Sequence, residues 1–184
     1  MKIKLARGDG DLGHIKNVNT EWAKISKALS THTHADSKGG KYFVGGYFYG
    51  TTRKEDAMVA RTLLTLDADK LTMSVDAIEW ELSAIGEAMV AYSTFSHGKN
   101  GLSSLRVVIP LSREVSPSEY RQLSKAYGKA FALTLDDCSY KPNQAMFYPT
   151  CPDLSAAWSY TNEGAALDVD RWLLFADTED DTFS

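Results

Sequence analysis

Cysteine is scarce in this chain, with only Cys138 and Cys151 among 184 residues. Two thiols so spaced build neither a disulfide framework nor a zinc knuckle, which points to a reducing compartment. Both are read as small core or loop residues. Positive charge is also in short supply: 20 Lys and Arg against 24 Asp and Glu leave a formal net charge of −4. Proteins that coat nucleic acid are strongly basic, so any nucleic-acid contact must come from a local patch on an otherwise acidic surface. The sequence opens with no charged and apolar leader, and no uninterrupted apolar run approaches the ~20 residues that cross a bilayer. The expectation is a soluble, cytoplasmic protein with no membrane partner. No internal repeat is visible.

What is present suffices for a core: 43% of residues are hydrophobic and 24% charged, ordinary values for one globular domain. That domain is taken as residues 1–176, followed by an acidic tail over 177–184. Residues 2–7 alternate like a strand and end at Gly8-Asp9-Gly10-Asp11, after which Asn19 or Thr20 caps a helix carrying Trp22, Ile25 and Leu29. A polar loop over 30–41 leads to the aromatic strand 42–49, with a bulge or close approach at Gly45-Gly46. Residues 60–69 read as a buried strand ending in acid, and Ser74 opens a helix with Ile78, Leu82 and Ile85 on one face. A hairpin follows, its arms 88–95 and 105–111 joined through Gly98-Lys99-Asn100-Gly101. Ser116-Pro117-Ser118-Glu119 is a full capping box for a helix with Tyr120, Leu123, Tyr127 and Phe131 along its apolar stripe. Short strands are expected at 144–148 and 158–161, while 169–175 fits either helix or strand. Intermixed helices and strands with an antiparallel hairpin favour an α+β domain with a mixed or antiparallel sheet and flanking helices over a doubly wound parallel sheet.

Three places carry residues suited to chemistry. In Leu66-Asp67-Ala68-Asp69 a strand of period two projects both acids from one face, with Cβ atoms roughly 6.5 to 7 Å apart. Two ionised acids at the end of an apolar strand are costly unless a cation lies between them, and Mg²⁺ or Mn²⁺ with oxygen ligands answers that need; the bland alternative is a strand that stops and leaves its acids solvated. His97 closes the first hairpin arm and Arg106 lies on the second, so an imidazole and a guanidinium can face one triphosphate, or be a turn histidine and a solvated arginine. Asp136-Asp137-Cys138-Ser139, just past the capped helix, offers a further acid.

In this order, a strand with Asp-x-Asp, Ser-His before an Arg-bearing strand ending in Pro-Leu, and an acid-x-Ser segment leading to Gln144 and Tyr148-Pro149, the chain resembles the archaeo-eukaryotic primase superfamily. The likeness covers roughly residues 40–149 and is nearest to the primase-polymerase domains of phage, prophage and plasmid replication proteins. It implies an RRM-like catalytic core that performs template-dependent nucleotidyl transfer, synthesising primers from NTP or dNTP on single-stranded DNA. It further implies that Asp67 and Asp69 hold Mg²⁺ or Mn²⁺ with Asp137, or Asp136 one register away, as third acid. His97 and Arg106 would contact the nucleotide phosphates, with Ser96 and Lys99 beside them. Phe95 stands where the second motif usually has a small residue, which leaves the role of Ser96 open. Lys41, Arg53 and Lys54, in the basic and aromatic segment that begins at Lys38, are candidates for template contact, although Tyr42, Phe43, Tyr47 and Tyr49 are read as core. With no helicase or zinc segment evident, a helicase in the same or a separate chain is an expected partner.

Two other readings compete. Thr31-His32-Thr33-His34 with Tyr120 and Tyr127 suggests a rolling-circle nickase, in which paired histidines hold metal and a helical tyrosine is the nucleophile. Those histidines lie in a polar stretch, however, and the tyrosines fall on an apolar stripe. The second rival is a non-catalytic module that binds single-stranded DNA in a replication initiator. Acids gathered near a phosphate ligand argue against it, because without metal they would repel that ligand.

Overall fold

A computed structural model describes residues 1–181. Strand β1 (Lys2–Asp9) turns back into β2 (Lys16–Glu21), which leads directly into helix α1 (Trp22–Leu29). The strand β2 departs from expectation: Lys-Asn-Val-Asn-Thr-Glu has a single apolar residue because it is an edge strand, paired on one side only with β1. The helix consequently starts at Trp22, and Glu21 at its N-cap makes no side-chain capping bond. Next come β3 (Thr33–His34), β4 (Lys41–Val44) and β5 (Gly46–Phe48). The expected single aromatic strand is thus two, because the chain passes from one sheet to another at Gly45-Gly46. A Cβ on Gly46 would lie 2.3 Å from the Ala60 carbonyl oxygen, so only glycine permits that approach.

The long strand β6 (Met58–Leu71) crosses the middle of the domain, followed by α2 (Val75–Ser83), β7 (Met89–Ser93), β8 (Ser103–Val115) and α3 (Pro117–Ala130). Ser74 accepts the Ala77 N–H at the start of α2, and both bonds of the Ser116/Glu119 capping box are formed. Short strands β9 (Met146–Phe147), β10 (Thr150–Cys151) and β11 (Ser159–Asn162) precede α4 (Val169–Asp181). Residues 169–175 are therefore helical, and that helix runs through the expected boundary at 176/177; residues 182–184 of the acidic tail lie outside the described residues.

The antiparallel strands form one five-stranded sheet, β11-β7-β8-β6-β5, and one four-stranded sheet, β2-β1-β4-β9; β3 and β10 make a short parallel pair. The five-stranded sheet is buried on both faces. Leu64, Leu66, Ala68, Ala91, Val107 and Ile109 face Ile78, Leu82, Tyr120, Leu123 and Tyr127 of α2 and α3. Leu63, Val90, Tyr92 and Val108 face Ile3, Leu5, Phe43 and Met146 of the second sheet and Ile25 and Leu29 of α1. Burying both faces explains why residues 60–68 read as a continuous apolar run rather than an alternation. By parity, Asp67 and Asp69 point with Leu63 toward the second sheet, into the space between the layers. This α+β architecture is the one expected from the sequence. Among the described residues no helix is long and apolar enough to cross a membrane.

Candidate active site

Backbone pairing explains how the acids meet. Asp67 lies directly opposite Arg106 on β8. The carbonyl oxygen of Asp67 accepts the Asp136 N–H (2.8 Å), and its own N–H donates to Ser139 Oγ (2.9 Å). The backbone of Asp67 is thus spent on the turn 136–140 at the far edge of β6, where β5 has already ended. Asp67 and Arg106 therefore form a non-hydrogen-bonded pair, the kind in which antiparallel side chains approach most closely. Arg106 Nε stands 3.3 Å from Asp67 Oδ1, with both side chains largely buried. Arg106 Nη1 donates to the Phe147 carbonyl (3.2 Å), whereas its buried Nε makes no hydrogen bond.

Two residues further on, β6 bulges. Ala68 pairs with Leu105 and Leu71 with Ser103, so Asp69 and Lys70 together oppose Ser104. Lys70 takes a positive φ of 54°, which costs a non-glycine residue on the order of 1 kcal/mol and is tolerated where surrounding bonds enforce it. Ser104 enforces it here: its Oγ accepts the Lys70 N–H at 3.2 Å and donates to Asp69 Oδ1. The bulge re-aims Asp69 into the same pocket as Asp67. That pocket is lined by Asp67, Asp69 and Arg106, by Thr94, Phe95 and Ser96 at the end of β7, by Lys38 and Gly39 ahead of β4, and by Phe147, Tyr148 and Thr150.

His97 stands one bond behind the pocket wall. Its Nδ1 accepts the Ser104 N–H at 3.1 Å, which leaves the proton of a neutral ring on Nε2. Burial, reinforced by nearby His32 and opposed by the Ser104 bond, holds its pKa below the usual histidine value. Ser96 lines the pocket, but Lys99 is exposed on a short 3₁₀ turn over Lys99–Gly101.

The two candidates for a third acid are placed apart. Asp136, Asp67 and Cys138 place ligand atoms within 4.8 Å of one another. Asp137, one residue along the 3₁₀ turn, instead lines a separate groove beside Arg121, Lys125 and Lys141 of the α3 side. The cause is the Asp136 N–H bond to Asp67, which fixes the register of the turn. Burial and the neighbouring Asp67 and Asp69 raise the Asp136 pKa above its ordinary value, as expected for a carboxyl pressed against other acids. Cys138, read from sequence as a core or loop residue, is at the site: its thiol donates to Asp67 Oδ2 at 3.6 Å. Burial, then Asp67, pushes that thiol to about 12, so it stays neutral. The two carboxylate oxygens of this cluster would suit a hard divalent cation, for which the protonated thiol is a poor partner.

Among the residues expected to touch template, Arg53 is tied down. Its Nε donates to the Leu12 carbonyl and its Nη1 to the Asn143 carbonyl, both at 2.6 Å. Lys41 and Lys54 do not line the acidic pocket, whereas Lys38 does. Tyr42 and Phe43 are core, but Tyr49 is 73% exposed. The nickase arrangement is not assembled: Tyr120 and Tyr127 are buried, His34 pairs with exposed Asp36, and His32 Nε2 lies 2.8 Å from the Ser93 carbonyl. Residues 33–34 are nevertheless a short strand and not part of a loop, because β10 pairs with them. Lys38 and Cys138 were not singled out for the site itself by sequence. A lysine in a polar loop and a lone cysteine carry no local signal, and only the fold brings them to the acids.

No curated protein matches the chain. Among solved structures, the AEP domain of the primase-polymerase of cyanophage S-2L is similar in fold, with a TM-score of 0.50 over 94% of this chain and 88% of that one, at 14% sequence identity. Residues 11–183 match the family described as the VapE N-terminal domain. The chain has the primase-polymerase fold and belongs to the VapE N-terminal domain family.

Proposed function

We propose that this domain is a primase-like nucleotidyltransferase of a phage or plasmid replication protein, joining NTP or dNTP to a chain on a single-stranded DNA template. The observation that carries the reading is the position of Asp67, which shares a pocket with Asp69, Arg106 and Lys38 and whose carboxylate also lies close to Asp136 and Cys138 of a distant turn. Asp67, Asp69 and Asp136 would hold Mg²⁺ or Mn²⁺. When bound, such an ion acidifies a 3′ hydroxyl and offsets charge on the phosphates. Lys38 and Arg106 bring positive charge to the pocket for a triphosphate and Ser96 adds a polar group to its wall, while His97 would reach the phosphates from just behind that wall. Lys41 and Lys54 remain candidates for template contact outside the pocket. A helicase, in this chain or another, would supply the single strand.

One observation favours a second reading. Arg106 already neutralises Asp67, so the acids do not depend on metal alone for charge balance, and a module that merely binds single-stranded DNA could tolerate them. The two readings separate in primer synthesis and primed extension on single-stranded template with labelled nucleotides and Mg²⁺ or Mn²⁺. The wild type should make product, and Asp67→Ala with Asp69→Ala should make none. Failure of the wild type in both assays, together with nucleotide binding indifferent to divalent metal, would reject catalysis.

A further inference from the structure

Arg61 is the largest fully buried side chain in the domain, at 0% exposure, and no carboxylate among the described residues pairs with it. Its partners are neutral. Nε and Nη2 donate to the Leu63 carbonyl (3.3 and 2.8 Å), Nη1 to the Pro142 carbonyl (3.0 Å), and Nη2 also to Thr65 Oγ1 (2.9 Å) and the Tyr120 hydroxyl (3.1 Å). The guanidinium also stacks 4.0 Å from the centre of the Tyr120 ring. A buried cation without an anion is a poor stabiliser, and an apolar side chain of similar volume would often serve stability better. What the guanidinium does supply is reach: its fork joins β6 to Pro142, immediately beyond the turn that carries Asp136.

The Tyr120 hydroxyl extends the connection. It accepts from Arg61 Nη2 and, more weakly, from the Thr65 N–H (3.4 Å). A phenol has one proton to give. With its lone pairs so engaged, that proton goes to the Ser139 carbonyl (3.1 Å) or the Thr65 carbonyl (3.3 Å). Ser139 Oγ in turn accepts the Asp67 N–H, and the Asp67 carbonyl accepts the Asp136 N–H. Beside the direct bonds of Asp67 with Asp136, Cys138 and Ser139, the Arg61–Tyr120 pair thus holds the same turn at two further points, the Ser139 and Pro142 carbonyls.

We infer that Arg61 and Tyr120 are positioning residues, which clamp the turn 136–142 to the open edge of β6 and so set the spacing of Asp67 and Asp136 for a divalent cation. The cation-binding part of this inference rests on the function proposed above; the clamp itself does not. Neither residue touches the pocket. Their action is on Asp136, which repulsion from Asp67 and Asp69 would otherwise drive outward.

The test uses the whole chain as wild type, Tyr120→Phe and Arg61→Met. Tyr120→Phe removes one oxygen and keeps the ring, so it stays informative should Arg61→Met fail to fold. Two quantities are read at a temperature where the fold is intact: the Mn²⁺ dissociation constant by electron paramagnetic resonance, and alkylation of Cys138 and Cys151 by iodoacetamide, resolved by peptide mass. Loss of the clamp should weaken Mn²⁺ by about tenfold, the scale for residues that orient metal ligands. It should also speed Cys138 alkylation severalfold while leaving buried Cys151 unchanged. Equal acceleration at both cysteines, or unchanged Cys138 alkylation in Tyr120→Phe, would overturn the clamp. If the wild type binds no Mn²⁺, the metal reading falls, and selective acceleration at Cys138 would still establish the clamp.

Discussion

Replacing Arg106 by methionine probes the electrostatics of the site most directly. The guanidinium lies 3.3 Å from Asp67, with side-chain exposures of 11% and 16%. At an effective dielectric of 20 the direct attraction is about 5 kcal/mol. Desolvation offsets much of that in the intact pair, but removing one partner strands the other, at a cost of about 3 to 5 kcal/mol. Here the stranded group is a carboxylate with Asp69 and Asp136 beside it. Arg106→Met should therefore lose about 3 kcal/mol by urea unfolding, and its thermal midpoint should fall by about 6 to 12 °C, given the usual scale for a domain of this size. Combining it with Asp67→Asn should recover at least ~1 kcal/mol relative to the sum of the single losses, since the two side chains interact. Without its built-in cation the site should also gain more stability from millimolar Mn²⁺ than the wild type does. A loss below about 1 kcal/mol, or strict additivity in the cycle, would refute the view that Arg106 balances the charge of Asp67.

Asp136→Asn should weaken Mn²⁺ at least about tenfold, whereas Asp137→Asn should leave it within about twofold, read by titration; the scale is that of lost metal-site interactions. His97 has a lowered pKa from burial and His32, so as pH falls the unfolded chain takes up its proton first, near pH 6.5. Stability should be at its plateau above pH ~6.5 and decline as pH drops through the folded value, and His97→Gln should flatten the urea midpoint between about pH 7 and about 5.5. Gly46→Ala drives a Cβ against the Ala60 carbonyl and should cost about 1 to 3 kcal/mol by thermal or urea unfolding.

Fold features with local causes were legible in the sequence. The Ser116/Glu119 capping box, the Ser74 cap and the hairpin of β7 and β8 all follow from residues near one another in the chain, and the structure has each of them; β6 lies where expected but runs past Asp69 to Leu71 instead of ending in acid. Elements defined by a distant neighbour were not legible. The strand β2 exists because β1 pairs with it, and α4 owes its packing to α3 through Trp172 against Tyr127. The split of the aromatic strand into β4 and β5 arises from a sheet crossing that glycines permit but do not announce.

The same division holds at the site and explains why the sequence left Asp136 and Asp137 as alternatives. Asp67 and Asp69 share a strand face, so period-two alternation alone places them together, although the bulge at Asp69 and Lys70 sharpens the aim. Choosing between Asp136 and Asp137 is different, because adjacent residues on an irregular turn have no periodicity to separate them. The choice is made by one backbone bond, Asp136 N–H to the Asp67 carbonyl, available only because β5 ends early and leaves the edge of β6 open at that point. Arg106 shows the converse case. Its position on the hairpin was readable, but its direct opposition to Asp67 depends on strand register, which converts a residue expected to greet phosphate into one that also balances an acid. On the proposed function, a nucleotide entering this pocket would meet a cation already engaged, and its phosphates would compete with Asp67 for Arg106, a competition that a divalent ion on the same carboxylate would relieve.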